Sequence, residues 1–286
     1  MVQKRVVVFG GSGRIGKYLL AELAPYFDVL NADLVAPTRK TEFIQVDVLD
    51  IGSVRRAVSG ADAVIHLASI DFDWRVLPEK YIDVNVRGSW HVLQASAEAG
   101  VEKVVLCSSV AATGLSENRE DWIPQYFQVD ERHENRPVDA YSVSKLLLEN
   151  MARSFVHGTN MSVLCLRPVD VIMAETFPDY AVSIAVPRPR YLYCYVTASD
   201  VAKAFHAALN TERRRYGEFF LSAQDTSHSE PTLDWYRHKY SALPEIPTPG
   251  IFQMNPRASI VSSRLAGEVL GWKPTSDFQE IRNAWS

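Results

Sequence analysis

Arg5-Val-Val-Val-Phe-Gly10-Gly-Ser-Gly-Arg-Ile-Gly16-Lys-Tyr-Leu-Leu-Ala-Glu-Leu-Ala24 is the stretch whose reading decides the fold. A short apolar run, Arg5–Phe9, ends in glycines at 10, 13 and 16, and Ile15–Ala24 then carries a helical pattern. A strand, a tight glycine turn and a helix amino terminus form a cradle for a pyrophosphate, because small residues let the backbone approach it. Gly10, Ser12, Gly13, Arg14, Ile15 and Gly16 are therefore expected to bind a dinucleotide. Asp33 ends the next strand, 23 residues after Gly10. A carboxylate there accepts hydrogen bonds from ribose hydroxyls and repels a 2′-phosphate, which favours NAD over NADP. Arg39 and Lys40 follow in what reads as a solvated loop.

Working outward, apolar runs recur at Val29–Asp33, Phe43–Val46, Ala63–Leu67, Lys103–Ser108 and Ser162–Leu166. Helical patterns stand between several of them, at Ile51–Val58, Tyr81–Ala99 and Tyr141–His157. Short continuous apolar strands alternating with helices predict an α/β fold, a doubly wound parallel sheet (Rossmann) with both faces covered. After Pro168 prolines cluster, and helices are expected at Ser199–Leu209, Thr232–Tyr240, Ser262–Leu270 and the last ten residues. The organisation expected is a core over 1–168, then a small carboxyl-terminal substrate lobe over 169–286 interleaved with remaining core elements.

The chain has 286 residues, 47% hydrophobic and 22% charged, a balance suited to a globular enzyme. A net charge of -4 argues against a nucleic-acid partner, which calls for a basic surface. No apolar run approaches the ~20 residues of a membrane span, and the amino terminus does not read as a signal peptide. Cys107, Cys165 and Cys194 are far apart and read as reduced residues of a cytoplasmic protein, with no metal spacing. The seven histidines form no cluster, so no metal is expected.

Tyr141 and Lys145, in Asp139-Ala-Tyr-Ser-Val-Ser-Lys145, lie four apart and share a helix face. A cation beside a phenol favours the phenolate, so Tyr141 is expected to be a proton donor or acceptor near neutral pH. Ser108 and Ser109 end the fifth strand, where ligands of doubly wound sheets bind, and a hydroxyl there can donate to a reacting oxygen.

Together these motifs resemble the extended short-chain dehydrogenases/reductases of the NAD-dependent epimerase/dehydratase family. The resemblance rests on the glycine turn, Asp47-Val48, His66-Leu67-Ala68-Ser69, Asn85-Val-Arg-Gly88, Ser108-Ser109 and Tyr141-Ser-Val-Ser-Lys145. It continues through Leu166-Arg-Pro168, Asp200-Val-Ala and Leu270-Gly-Trp-Lys-Pro274, and so covers nearly the whole chain. It implies Asp47 and Val48 at the adenine, and Leu67, Ala68 and Ser69 along the pyrophosphate and nicotinamide ribose. Asn85, Ser108 and Pro168 would lie near the cofactor, although the residues alone also allow Asn85 as a polar group inside a helix. In the family pattern the catalytic hydroxyl precedes a glycine by five positions, and Gly114 selects Ser109. Ser109, Tyr141 and Lys145 are then the catalytic set, with Lys145 also reaching the nicotinamide ribose. Homodimerisation is implied through the Tyr81–Ala99 and Tyr141–His157 helices.

The substrate is less legible. Nucleotide-sugar members carry an arginine seven positions before the aspartate of the Asp-Val-Ala segment, and here that position is Tyr193. Arg188 and Arg190 are nearby substitutes. The short lobe resembles that of uronate dehydrogenase-like members, yet Val110-Ala111 after Ser109 is apolar. Asp71-Phe-Asp-Trp-Arg75 is expected to line the pocket, with Phe72 and Trp74 stacking on a ring and Arg75 meeting a carboxylate. Trp122, Tyr126 and Phe127 are expected to form a lid. Ser69, Arg75, Val110, Ala111 and Tyr193 are thus the substrate candidates. The expectation is an NAD-dependent oxidoreductase acting on a small hydroxyl or carbonyl compound, a free sugar or sugar acid. The alternatives are a nucleotide-sugar epimerase and a non-catalytic NAD-sensing protein, which would not need Ser109, Tyr141 and Lys145.

Overall fold

The computed structural model describes residues 3–285 apart from 74, 118, 120, 186–189 and 213. Trp74, Arg188 and the Arg190 side chain, named above as substrate candidates, lie outside the described residues. The first half alternates β1 (Arg5–Phe9), α1 (Gly16–Leu23), β2 (Asp28–Asp33), β3 (Glu42–Gln45), α2 (Ile51–Val58) and β4 (Ala63–His66). It continues with α3 (Pro78–Tyr81), α4 (Ser89–Glu98), β5 (Lys103–Cys107), α5 (Ala140–Gly158) and β6 (Ser162–Pro168). Then come β7 (Asp170–Ile172), α6 (Phe177–Ile184), β8 (Tyr195–Thr197), α7 (Ala198–Asn210) and β9 (Tyr216–Leu221). Four short helices close the chain: α8 (Thr232–Tyr240), α9 (Gly250–Met254), α10 (Arg264–Leu270) and α11 (Phe278–Trp285).

Seven strands pair in the order β3-β2-β1-β4-β5-β6-β9, all parallel. The chain winds outward from β1 to β3, returns to β4 and winds the other way. The switch between β1 and β4 opens a crevice at the strands' carboxyl ends. Alternation along β1 sends Val6 and Val8 into one core and Val7 and Phe9 into the other. All four are fully buried, which is why the run is continuously apolar. The seventh strand, β9, comes from beyond the expected core and pairs with β6, with Leu166 opposite Phe219. Neither β9 nor the short β7–β8 pair was expected, and α6 and α9 were likewise missed.

Side chains set the helix starts. Asp50 caps α2 through the Gly52 amide at 2.9 Å, and Asp139 caps α5 through the Ser142 amide at 2.9 Å. Two motifs of the resemblance serve to hold the lobe on the core. Asp200 accepts from the Thr275 amide (3.1 Å) and hydroxyl (2.7 Å), and its carbonyl accepts from Trp272 Nε1 at 2.9 Å. Behind β5, Arg167 and Glu149 form a fully buried two-pronged pair, both contacts at 2.7 Å.

Two expectations are corrected. The segment expected as one helix over Tyr81–Ala99 is α3, a π-helical stretch Ile82–Gly88, then α4. The wider turns take Asn85 out of the regular ladder and let its side chain serve the loop after β4. The expected lid is interior. Trp122 donates to the Thr113 carbonyl at 2.9 Å beneath the Arg136 guanidinium, and Phe127 is fully buried against Tyr236. Tyr126 hydrogen-bonds Asp130 at 2.9 Å. The aromatic content of this insertion reflects core packing.

Candidate active site

A cleft of about 420 Å³ opens at the carboxyl ends of the strands, a size usual for ligand sites. Gly10, Gly13, Arg14, Ile15 and Gly16 form its floor on the cofactor side. Leu67, Ser69, Ser108, Ser109, Tyr141, Lys145 and Pro168 face them from the strand ends and α5. Thus most of the residues picked from the sequence converge. Ser12, Asp33, Asp47, Val48, Ala68 and Asn85 do not line this cleft.

The glycine turn fits a dinucleotide for a steric reason. Gly10 has φ of +83°, and a Cβ on it would stand 2.5 Å from the Ala68 amide nitrogen. A Cβ on Gly16 would stand 2.4 Å from the Gly11 carbonyl oxygen. The turn can close only with glycine, and closure leaves the backbone bare toward the cleft. Asp33 braces this turn, accepting from the Ser12 amide at 2.9 Å and the Val35 amide at 3.1 Å. The Ser12 hydroxyl donates to the Val35 carbonyl at 2.6 Å, so it ties the turn to β2. Asn85 is committed to the loop: it accepts from the Ile70 amide at 2.7 Å and donates to the Ile70 carbonyl at 3.0 Å. The reading of Asn85 as a cofactor ligand gives way to that of a loop clamp.

Lys145 Nζ donates to the Cys107 carbonyl at 3.0 Å and to Ser69 Oγ at 3.3 Å. It thus ties α5 to the ends of β4 and β5. Its nitrogen lies 5.6 Å from the centre of the Tyr141 ring. Tyr141 is buried, edge-on to Tyr81 at 5.8 Å and to Phe72 at 6.1 Å. Ser109 Oγ accepts from the Ala111 amide at 3.1 Å, and its proximity to the Tyr141 hydroxyl favours the phenolate. Ser108, which also lines the cleft, donates to Glu149 at 2.6 Å.

The electrostatics correct one expectation. Burial, with the Asp71 carboxylate adding to it, pushes the Tyr141 phenol well above its ordinary value. Burial likewise pulls Lys145 down, opposed by the Cys107 thiol, Asp71 and Glu149. The phenol is not made acidic, because the loss of water around Tyr141 outweighs the one neighbour that favours the phenolate, Ser109. His66 is a structural histidine of the core. It is buried against Ser89 at 2.9 Å, and burial lowers its pKa to about 3.

On the substrate side the structure departs further from expectation. Tyr193 packs against Trp235 (4.9 Å) and His228 (4.6 Å), away from the cleft. Tyr191 lines the cleft instead. Tyr191, Leu192 and Tyr193 all have left-handed φ, 47°, 54° and 61°, and this reversal exchanges the two phenols. Arg75 is exposed and bound to Asp73, outside the cleft. Val110 and Ala111 are buried and do not line it: Val110 enters the main core, and Ala111 packs on Tyr81 and Tyr141. The sequence reading missed the wall built by Thr176, Asp179, Tyr180 and Ser183. Its signal was present, since positions 176, 179, 180 and 183 are one stripe of a helix.

The chain is 32% identical over 173 residues to an N-acetyl-alpha-D-glucosaminyl-diphospho-ditrans,octacis-undecaprenol 4-epimerase of Escherichia coli O157:H7, covering 59% of the chain but only 49% of that relative. It is 24% identical to a uronate dehydrogenase of Pseudomonas syringae pv. tomato, covering 72% of the chain and 70% of the relative. It is 26% identical to a UDP-glucose 4-epimerase of Streptococcus mutans serotype c, covering 98% and 96%. In fold it resembles the crystal structure of a UDP-glucose 4-epimerase from Brucella ovis in complex with NAD. The TM-score there is 0.75 and the identity 20%, over 97% of this chain and 96% of that one. The model of the NAD dependent epimerase/dehydratase family matches residues 6–220, across β1 to β9 and through every residue of the glycine turn and of the Ser109, Tyr141 and Lys145 set; the chain belongs to that family, the extended short-chain dehydrogenases/reductases, whose cofactor is NAD.

Proposed function

We propose that this chain is an NAD-dependent oxidoreductase that moves hydride between NAD and a small hydroxyl or carbonyl compound, a free sugar or sugar acid. The observation that carries this reading is the meeting of Ser109, Tyr141 and Lys145 in one cleft with the glycine turn. NAD, when bound, supplies the hydride acceptor or donor. The residues assigned to it are Gly10, Gly13, Arg14, Ile15 and Gly16 at the pyrophosphate, with Asp33 at the adenosine end. Ser109 holds and polarises the reacting oxygen. Tyr141 takes the hydroxyl proton as the substrate carbon loses hydride, or returns it in reduction. Lys145 fixes the ends of β4 and β5 around the reacting atoms. Tyr191 and the Thr176–Ser183 stripe supply hydroxyls, phenols and a carboxylate suited to reading a polyhydroxy substrate.

Kinship with 4-epimerases supports a second reading, in which hydride returns to the substrate and no NADH accumulates. Absorbance at the NADH band across aldoses, uronic acids, polyols and aromatic alcohols separates the two. Net NADH with a free sugar or sugar acid supports the dehydrogenase. Turnover of a nucleotide sugar without net NADH, followed by NMR, supports the epimerase. We further propose a cytoplasmic homodimer joined through α4 and α5. Exposed Trp90 on α4 and Leu147 on α5 support that face.

A further inference from the structure

Arg14 stands on the phosphate-binding turn and Asp71 on the loop after β4, and the two form an ion pair across the cleft that both of them line. Both are largely exposed, at 63% and 62%, so water competes for the pair. Exposed pairs of this kind are favoured by a factor of about five or less. A diphosphate offers the same guanidinium a planar two-pronged contact with more charge and outcompetes a single carboxylate.

The loop that carries Asp71 is fixed, and only its side chain needs to move. Asn85 clamps the Ile70 backbone on both sides, and the Tyr81 hydroxyl accepts from the Asp73 amide at 2.9 Å. The neighbouring Phe72 ring lies 6.1 Å from that of Tyr141. The Asp71 charge reaches the catalytic pair, raising both Tyr141 and Lys145.

We infer that Asp71 serves two partners in turn: it holds Arg14 in the free enzyme, yields Arg14 to the cofactor's pyrophosphate, and then accepts hydrogen bonds from substrate hydroxyls beside Tyr141. A carboxylate has lone pairs for two donors, so the substrate class is a compound with adjacent hydroxyl groups. Cofactor binding raises the share of free carboxylate and so favours cofactor before substrate. This substrate assignment rests on the dehydrogenase reading above.

The test uses the whole chain. NAD is titrated by calorimetry, without substrate, into wild type, Asp71→Asn, Arg14→Gln and the double variant. Asp71→Asn is expected to bind NAD roughly two- to fivefold more tightly, since Arg14 is already free. In the Arg14→Gln background the same change is expected to leave NAD affinity unaltered. In the NADH assay Asp71→Asn raises KM for the sugar by about tenfold or more, and leaves an analogue without the neighbouring hydroxyls unaffected. A merely structural role would weaken both ligands together. Unchanged or weaker NAD binding in Asp71→Asn overturns the exchange of partners, and so does equal tightening with Arg14→Gln. If wild type oxidises nothing in the panel, the dehydrogenase reading and the substrate half fall, while the calorimetry still decides the exchange.

Discussion

Tyr141 is a buried phenol between two aromatic rings, with a serine hydroxyl at its oxygen and a lysine over its face. Burial holds it protonated, the form that donates to a carbonyl oxygen. Oxidation of an alcohol needs the phenolate. The oxidation rate is therefore expected to climb with pH through the ordinary phenol range, while the reduction rate, which uses the protonated phenol, stays level over the same span. Initial rates in both directions on buffered enzyme check this; a flat oxidation profile contradicts it. Tyr141→Phe removes the proton carrier and leaves the ring packing. Turnover is expected to fall by about 10²–10⁴-fold, with NAD affinity by calorimetry nearly unchanged. At this scale the meeting of Ser109, Tyr141 and Lys145 in one cleft was readable, because spacing on a helix and position at a strand end are local. The sign of the Tyr141 shift was not, because it depends on how much water the folded chain removes. Nor was the exchange of Tyr191 for Tyr193, which three consecutive left-handed residues bring about.

Elements place these side chains, and the interface of α5 with β6 bears most on the site. Glu149 lies one turn beyond Lys145 and binds Arg167 and Ser108 where no water reaches. Glu149→Ala leaves a buried guanidinium without its main partner, and is expected to cost about 3–5 kcal/mol. Urea unfolding followed by circular dichroism measures that loss. The glycine turn offers a second prediction. Gly16→Ala places a methyl against the Gly11 carbonyl and must open the turn, so NAD binding is expected to weaken by an order of magnitude or more, roughly the 1–3 kcal/mol of a core steric clash. Equal affinity in that variant would show that the turn tolerates a methyl against the Gly11 carbonyl. Strands β1 to β6 and the helices between them were legible, since each carries its own periodicity. The π-helical stretch was not, because Asn85 leaves the helical ladder for a loop distant in sequence. Strand β9 escaped as well: its partner β6 is far off along the chain, and alternation in Tyr216–Leu221 is weak.

For the molecule as a whole, the sheet's switch point, the lobe packed on it by Asp200 and the wall on α6 build one cleft from widely separated segments. Among the described residues no helix is long and apolar enough to cross a membrane. Trp90 and Leu147 stand exposed on the helices proposed to pair, and sedimentation is expected to show a dimer that Trp90→Glu dissociates. A monomer in wild type at micromolar concentration would refute that arrangement. The family was legible because its motifs recur in order along the chain. The substrate wall was not, because it is assembled from a helix and a reversed turn that the motifs do not include. The most direct test of the central claim is absorbance at the NADH band for wild type and Tyr141→Phe, each mixed with NAD and the sugar panel, with NAD binding confirmed for both. Hydride chemistry through Tyr141 predicts NADH from wild type with at least one free sugar or sugar acid, and none from a variant that still binds NAD. Undiminished NADH formation by Tyr141→Phe would contradict it.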